Sequence, residues 1–224
     1  AGTWGAASAA EPPPRRVLVA TEGKGYLETV GGYRVLHLAG TPEEMGRQHG
    51  RLLKKAVTAN CTRLLAGDGK GLDPQWRGLA GGILNQVFRG QVPDRFIREM
   101  KGLADGAGLN VDAVLACNLI PELFHCSGFA LLSKATATGD LYHGRVLDYG
   151  VDLGLQDHAV LILQEPKGRE PFVNVSYAGF IGSVTGMNTA GVSIGEMGGG
   201  GVGQWQGVPM SFLVRMVLED ARSL

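Results

Sequence analysis

From Arg15 to Gly40 apolar and polar residues alternate in VLVATEG, GYLETV and YRVLHLAG, broken by Gly and charge. That period of two predicts two or three short antiparallel strands. The period then changes. Thr41-Pro42-Glu43-Glu44 sets an N-cap hydroxyl before a Pro at the first helical position and a Glu at the third, an arrangement that satisfies the free amides of a helix start. A helix is predicted from Pro42 to about Leu65, with Met45, Leu52, Leu53, Val57 and Leu64 facing a core and Arg47, Arg51, Lys54 and Lys55 facing solvent. Further helices are predicted from Pro93 to about Ala107, ended by Gly108, and from Val111 to about Leu123 behind Asn110 as N-cap. Another, weakened by Gly78, Gly81 and Gly82, is expected over roughly Pro74 to Phe88. Residues 41–124 thus read as an α-rich block.

At Cys126 the pattern becomes β-like. CSGFALLSKAT and LYHGRVLDYG, separated by the turn-forming Ala137-Thr138-Gly139-Asp140, make a hairpin candidate. Strands are expected in His158–Glu165, Phe172–Ala178 and Gly191–Met197, with a turn at Lys167–Glu170; the alternation in Val160–Leu163 is core. After Gly198–Gly201, Val208–Ala221 returns to helical spacing and stops without a Gly or Asn cap, so further chain is expected beyond Leu224. The opening Ala1–Pro14 reads as a flexible lead-in. It fits a segment left by signal-peptide removal, which favours a periplasmic or extracellular location and leaves the cytoplasm open.

Composition narrows the function classes. Lys plus Arg and Asp plus Glu both total 21 in 224 residues, so no bulk field draws the chain to nucleic acid or an anionic membrane. No apolar run reaches the roughly 18 residues of a membrane span. Cys61, Cys117 and Cys126 form neither a disulfide framework nor a CxxC metal pair, and the five histidines lack HxxxH or HExxH spacing. No metal or cofactor is expected. Cys61 and Cys117, on predicted helices, are read as packing residues. The 36 glycines point to turns, tight strand packing and loops.

Candidate chemistry centres on Cys126, at the head of a strand after Phe124-His125. The partner strand returns a guanidinium, Arg145, and a carboxylate, Asp148, toward it. A neighbouring Arg enlarges the thiolate fraction, and the thiolate is the attacking species. If Ala137 pairs with Asp140, Val151 lies opposite Cys126, and Asp148 and Arg145 fall roughly 10 Å and 20 Å along the strand. A bulge or asymmetric loop that consumes several residues would bring both closer.

Several segments, in order from Gly40 to about Glu219, resemble the isopenicillin-N acyltransferase-like group of cysteine Ntn hydrolases, which is related to choloylglycine hydrolases and penicillin V acylase. They are Gly40-Thr41 with Glu44, Met45 and Gly46; His49-Gly50-Arg51-Leu52-Leu53; His125-Cys126-Ser127-Gly128-Phe129; Lys134-Ala135-Thr136; Gly144-Arg145 with Asp148; and Gly186-Met187-Asn188 with Gly191-Val192. The resemblance implies an α+β fold, the αββα sandwich, with residues 15–125 preceding the processing site and 126–224 forming the first part of the catalytic domain. It implies a cut between His125 and Cys126, leaving Cys126 as an N-terminal nucleophile whose own α-amine moves the proton. It assigns Arg145 to a place beside the thiol, Asp148 to the nucleophile's amine, and Asn188 to a Gly-Met-Asn turn on the pocket or oxyanion side.

One departure stands out: about ten residues past that turn, where relatives of the bile-salt and penicillin branch carry an Asn, the chain reads Gly195-Glu196-Met197-Gly198. An oxyanion hole would then draw on backbone amides or on residues outside this chain. Tyr149, Glu196 and Trp205 are expected to line the substrate site, Trp205 as an apolar wall beside a mobile Gly-rich loop. The expected partner is a small-molecule amide, with a homo-oligomer or an α/β heterodimer after cleavage. Two other classes stay open: a catalytically silent Ntn-fold binding or scaffold protein, and, with His125 and His143 flanking the thiol, a papain-like protease. Against the protease stands the missing downstream stretch for its His and Asn. Ser127 is expected to hydrogen-bond locally and His143 to be a surface or hydrogen-bonded strand residue.

Overall fold

A computed structural model describes residues 12–65, 90–198 and 206–223. The helix expected over 74–88, most of the lead-in, most of the Gly198–Gly203 run and Trp205 lie outside the described residues. The chain forms β1 (Arg16–Glu22), β2 (Gly25–Val30), β3 (Tyr33–Gly40), α1 (Pro42–Leu52), α2 (Lys54–Leu65), α3 (Asp94–Ala107), α4 (Val111–Leu119) and a 3-10 turn (Ile120–Leu123). Then come β4 (Ser127–Leu131), β5 (Tyr142–Val146), β6 (Ala159–Pro166), β7 (Phe172–Tyr177), β8 (Thr185–Asn188), β9 (Ser193–Gly195) and α5 (Met210–Asp220). This is a mixed α+β fold, compatible with an Ntn-hydrolase architecture.

Local chemistry explains the helix ends. Thr41 Oγ1 accepts from the Glu44 amide and Glu44 accepts from the Thr41 amide, closing the capping box. Gly108, at φ 75°, ends α3 in the left-handed region, and Asn110 caps α4. The single helix expected over 42–65 is two: Leu53 leaves helical geometry (φ −114°, ψ 23°) as its side chain turns into the core. The last turn of the expected 111–123 helix tightens to 3-10 form at Pro121, which has no amide to continue the α ladder.

Seven strands form one sheet in the order β1-β2-β3-β6-β7-β8-β9, antiparallel except where β3 runs parallel to β6 from Val35↔Leu161 to Gly40↔Pro166. Residues on both sides of Cys126 therefore share one sheet and one core. Leu36, Leu38, Val160 and Ile162 face the helices, where they join Met45, Phe96, Met100 and Leu103. Leu161 and Leu163, on the opposite parity, are half-exposed, so only alternate residues of Val160–Leu163 are core. β4 and β5 form a separate two-stranded ribbon.

Glycine also works inside helices. Gly46 and Gly50 of α1 meet Gly102 and Gly106 of α3, where a Cβ on Gly46 would run into the Glu99 carbonyl and one on Gly106 would come within 2.6 Å of the Arg47 carbonyl. The two backbones touch, a use of glycine that the expectation of turns and loops did not include.

Between β7 and β8 the segment Ala178–Ser183 is wholly buried, and its backbone must be satisfied by side chains. Asn60 of α2 donates to the Ala178 carbonyl (2.8 Å), and the Gly179 amide donates to His49 Nε2 of α1 (3.0 Å). Asn118 of α4 donates to the Gly179 carbonyl (2.9 Å) and accepts from the Ile181 amide (2.8 Å). Arg215 of α5 donates to the Ile181 carbonyl (2.5 Å). That guanidinium is fully buried, and it is held by both Glu99 oxygens (2.6 and 2.9 Å) and by Glu219 (3.0 Å).

Two outcomes are expected. Burial and the nearby Arg215 charge push His49 down to about 3, so it is neutral in the fold. The unfolded chain binds a proton below the ordinary value of 6.5 and the fold does not, so His49 supports stability fully above pH 6.5 and that support is lost as pH falls toward 3. Each unit in that window costs about 1.4 kcal/mol, and His49→Gln should flatten that part of a urea-midpoint-versus-pH curve. Gly50→Ala should cost about 1–3 kcal/mol through overpacking, read as a lower denaturation midpoint at unchanged slope.

Candidate active site

The β4–β5 ribbon pairs Ser127↔Val146 and Gly128↔Arg145, so Leu147 follows on opposite Cys126. This register differs by four residues from the tight-turn pairing that put Val151 there. The connection is asymmetric, because a 3-10 turn at Ser133–Ala135 and a bend, held by Thr136 Oγ1 donating to the Asp140 carbonyl (2.9 Å), consume ten residues. The slip carries Arg145 and Asp148 toward the sulfur.

Alternation sends Gly128, Ala130, His143 and Arg145 toward the large sheet, and Ser127, Phe129, Tyr142 and Val146 away from it. Cys126, 9% exposed, lies just before β4. Arg145 Nη2 donates to Cys126 Sγ and to Glu196 Oε2 (3.0 Å). Its Nη1 donates to Thr185 Oγ1 on β8 (3.1 Å) and its Nε to the Glu196 carbonyl (3.0 Å). The guanidinium is bonded on all three nitrogens and is 4% exposed, against 3% for the Glu196 carboxylate. Glu196 is placed by its amide, which donates to the Val184 carbonyl (2.9 Å) at the end of the buried segment. Its Oε1 has no hydrogen-bond partner among the described residues.

These charges act on the thiol in opposite directions. Burial and the Glu196 carboxylate favour the protonated form, while the Asp148 backbone amide and the Arg145 charge favour the thiolate; the result is a thiol pushed up to about 11. Arg145 does pull toward thiolate, as its position suggests. In the continuous chain it is outweighed.

Of the other expected site residues, Asp148 is exposed, and its carboxylate accepts from Ser127 Oγ (2.5 Å) while its amide serves the sulfur. Tyr149 packs on Phe124 (centroids 4.7 Å apart), and its buried hydroxyl has no hydrogen-bond partner among the described residues. With Arg145, Thr185, Leu147, Val175, Tyr177 and Val184 it lines a mainly apolar cavity of about 360 Å³. His125 is exposed, and its ring lies against Gly198, which has φ 81°. His143 hydrogen-bonds Ser193 Oγ (3.0 Å) through Nδ1. Glu122, in the 3-10 turn before His125, accepts from the Met210 and Ser211 amides (3.0 and 3.1 Å) and so caps α5 from a distance.

Asn188 is not brought to the thiol. It ends strand β8, and its parity puts it on the sheet face opposite Thr185. There Nδ2 donates to the Leu218 and Ala221 carbonyls (3.1 and 2.7 Å), and Oδ1 accepts from the Ala190 and Val192 amides (3.1 and 3.0 Å). Its amide ties a turn to α5. Thr185 was not foreseen; no motif marks it, and only the register of β8 with β9, Thr185↔Gly195, shows that it reaches Arg145.

Glu196→Gln should remove the anion beside the sulfur and lower the thiol pKa by roughly one unit, giving about tenfold faster iodoacetamide labelling at pH 8. Arg145→Gln should move the labelling profile the other way. An unchanged profile in both variants would mean that neither charge reaches the sulfur.

No protein-family profile matches the chain. Protein dcd1A of Dictyostelium discoideum is 28% identical over 223 residues, covering 85% of this chain and 50% of that protein. An uncharacterized protein of Archaeoglobus fulgidus is 31% identical over 205 residues, covering 77% of this chain and 34% of that protein. Acid ceramidase of Rattus norvegicus is 27% identical over 164 residues, covering 60% and 40%. The chain thus spans half or less of the length of these relatives. The similarity to acid ceramidases supports the Ntn amide hydrolase superfamily for this chain, at a level coarser than the acyltransferase family.

Proposed function

We propose that the chain is part of a self-processing cysteine amidohydrolase that cleaves a linear, non-peptide amide through a thioester on Cys126, with water or a second amine taking the acyl group. The observation that carries this reading is a thiol at the head of a strand, in contact with a buried Arg145–Glu196 pair and the Asp148 amide. A packing cysteine has no need of a buried ion pair; a reacting one does.

In the continuous chain, Cys126 Sγ attacks the His125 carbonyl carbon, the His125–Cys126 C–N bond breaks, and water hydrolyses the resulting thioester. The products are a carboxylate on His125 and a free α-amine on Cys126. That amine, of intrinsic pKa near 8, then takes the thiol proton as sulfur attacks a substrate carbonyl, and delivers it to the departing amine. A second molecule of water, or an acceptor amine, releases the acyl group. Arg145 holds the sulfur and offsets its charge, and Asp148, whose carboxylate accepts from Ser127 Oγ next to Cys126, orients the new amine. Asn188, occupied by α5, has a positioning role for the turn, and oxyanion donors are sought among backbone amides or in residues outside this chain.

The cavity beside Arg145 supports an apolar acyl group. The name of the acid ceramidases points to ceramide, an amide with a long acyl chain, and a substrate of that kind suits a wall of Leu147, Val151, Leu155, Val175 and Val184. After the cut the two fragments form an α/β heterodimer.

Intact mass of the full-length protein should show two polypeptides divided between His125 and Cys126, and Cys126→Ala should remain one chain. A single wild-type chain that resists a thiol probe would overturn the reading and favour a silent scaffold.

A further inference from the structure

We propose that Ser127 is a positioning residue: its hydroxyl holds one oxygen of the Asp148 carboxylate and so turns the other toward the amine that the cut frees on Cys126. The proposal rests on the reading of Cys126 as a self-processed nucleophile and adds the residue through which Asp148 is aimed. Ser127 Oγ donates to Asp148 Oδ2 (2.5 Å), the carboxylate's one hydrogen bond among the described residues. The two residues are 21 positions apart, so this bond is a product of the fold and not one of the short-range turns in which serine and aspartate commonly meet.

Strand register brings them together. Ser127 pairs with Val146, and Asp148 lies two residues further on, on the same face of the ribbon and within the diagonal reach of facing side chains. Leu147 follows on opposite Cys126, so the Cys126 nitrogen stands level with the step from Leu147 to Asp148. Arg145 meets the sulfur from the other face, where all three of its nitrogens are engaged. The nucleophile is thus served from two sides, its sulfur by the guanidinium and its nitrogen by the carboxylate.

Both residues are exposed, and an exposed carboxylate left to itself samples several rotamers. A hydroxyl on a paired strand offers one donor from a fixed place, and the bond selects one of those rotamers in advance. When the thiol proton passes to the amine, the S–H bond breaks, an N–H bond forms, and an ammonium stands beside the carboxylate. An aimed carboxylate favours that charged form and makes the amine a stronger base. Without the hydroxyl the carboxylate is present but unaimed, and the amine loses part of this support.

The test uses the full chain with its cysteines labelled with carbon-13 at Cβ. Cys61, Cys117 and Cys126 give the signals, and the one absent from Cys126→Ala reports the amine and thiol of the nucleophile as pH is varied. Ser127→Ala should still be cut, since no amine needs orienting before the cut, and its Cys126 amine should titrate lower than that of the wild type by roughly half a unit to one unit. Ser127→Thr, which keeps the hydroxyl on a strand-compatible side chain, should restore the wild-type value. Asp148→Asn should titrate as low as Ser127→Ala, and the two changes together no lower. A cut Ser127→Ala protein with the wild-type titration, a Ser127→Ala chain that stays whole, or a further fall in the double variant would overturn this proposal alone. A wild-type chain that is never cut would overturn the self-processing reading and this proposal with it, and it is told apart by intact mass before any titration.

Discussion

The buried segment 178–183 sets the terms for everything around it. A stretch of backbone without neighbouring strands cannot enter a core unless each amide and carbonyl finds a partner, since an unpaired group costs on the order of 1–3 kcal/mol. Here the partners come from four helices: His49, Asn60, Asn118 and Arg215. Arg215 in turn needs Glu99 and Glu219 to balance its charge. His49, Asn60, Asn118 and Arg215, with Glu99 and Glu219 behind the guanidinium, thus share one task. By fixing the entry to β8 and the Val184 carbonyl, they place Thr185 and Glu196, the two residues that aim Arg145 at the sulfur.

The site itself is a balance. Burial keeps the proton on sulfur; the guanidinium beside the thiol pulls the other way, and a carboxylate of nearly equal burial on the same guanidinium presses the proton back. In the continuous chain, then, the Cys126 thiol is held in its protonated form. The proposed processing changes the local charge by adding an amine one bond away from the Cys126 side chain, so the sulfur is activated by a group that the uncut chain lacks.

Local signals in the sequence were accurate where a single residue type has a single structural use. The Thr41 capping box, the left-handed Gly108 and the Asn110 cap each place a helix end to within a residue or two. The β4–β5 partnership was also legible, but its register was not. Turn-forming residues at 137–140 admit both a tight hairpin and the longer connection observed, and the choice is made by the large sheet, which takes Arg145 and His143 on one face. Gly186-Met187-Asn188 was read as a turn through the family resemblance; Thr185–Asn188 is strand β8, paired with β7 on one side and β9 on the other. Glu196 was placed at the site for its position along the chain, while its bond to Arg145 depends on a contact 51 residues away that no spacing rule reaches.

The same long-range contacts bear on what a cut before Cys126 would do. His125 is exposed, so the peptide bond between two tightly packed segments lies where water can reach its N-terminal side. Yet the segments on either side are joined by the parallel β3–β6 ladder, by the Glu99–Arg215 pair, by Glu122 on the amides that open α5, and by the three side chains that hold Ala178, Gly179 and Ile181. Separating the fragments would expose that core, strand the buried Glu99 carboxylate and leave Arg215 with Glu219 alone, a cost of several kcal/mol for the charges. Backbone continuity at His125–Cys126 is therefore a minor part of what holds the fold. Loss of that one bond would free the Cys126 amine while the surrounding geometry stays where the helices and the sheet put it.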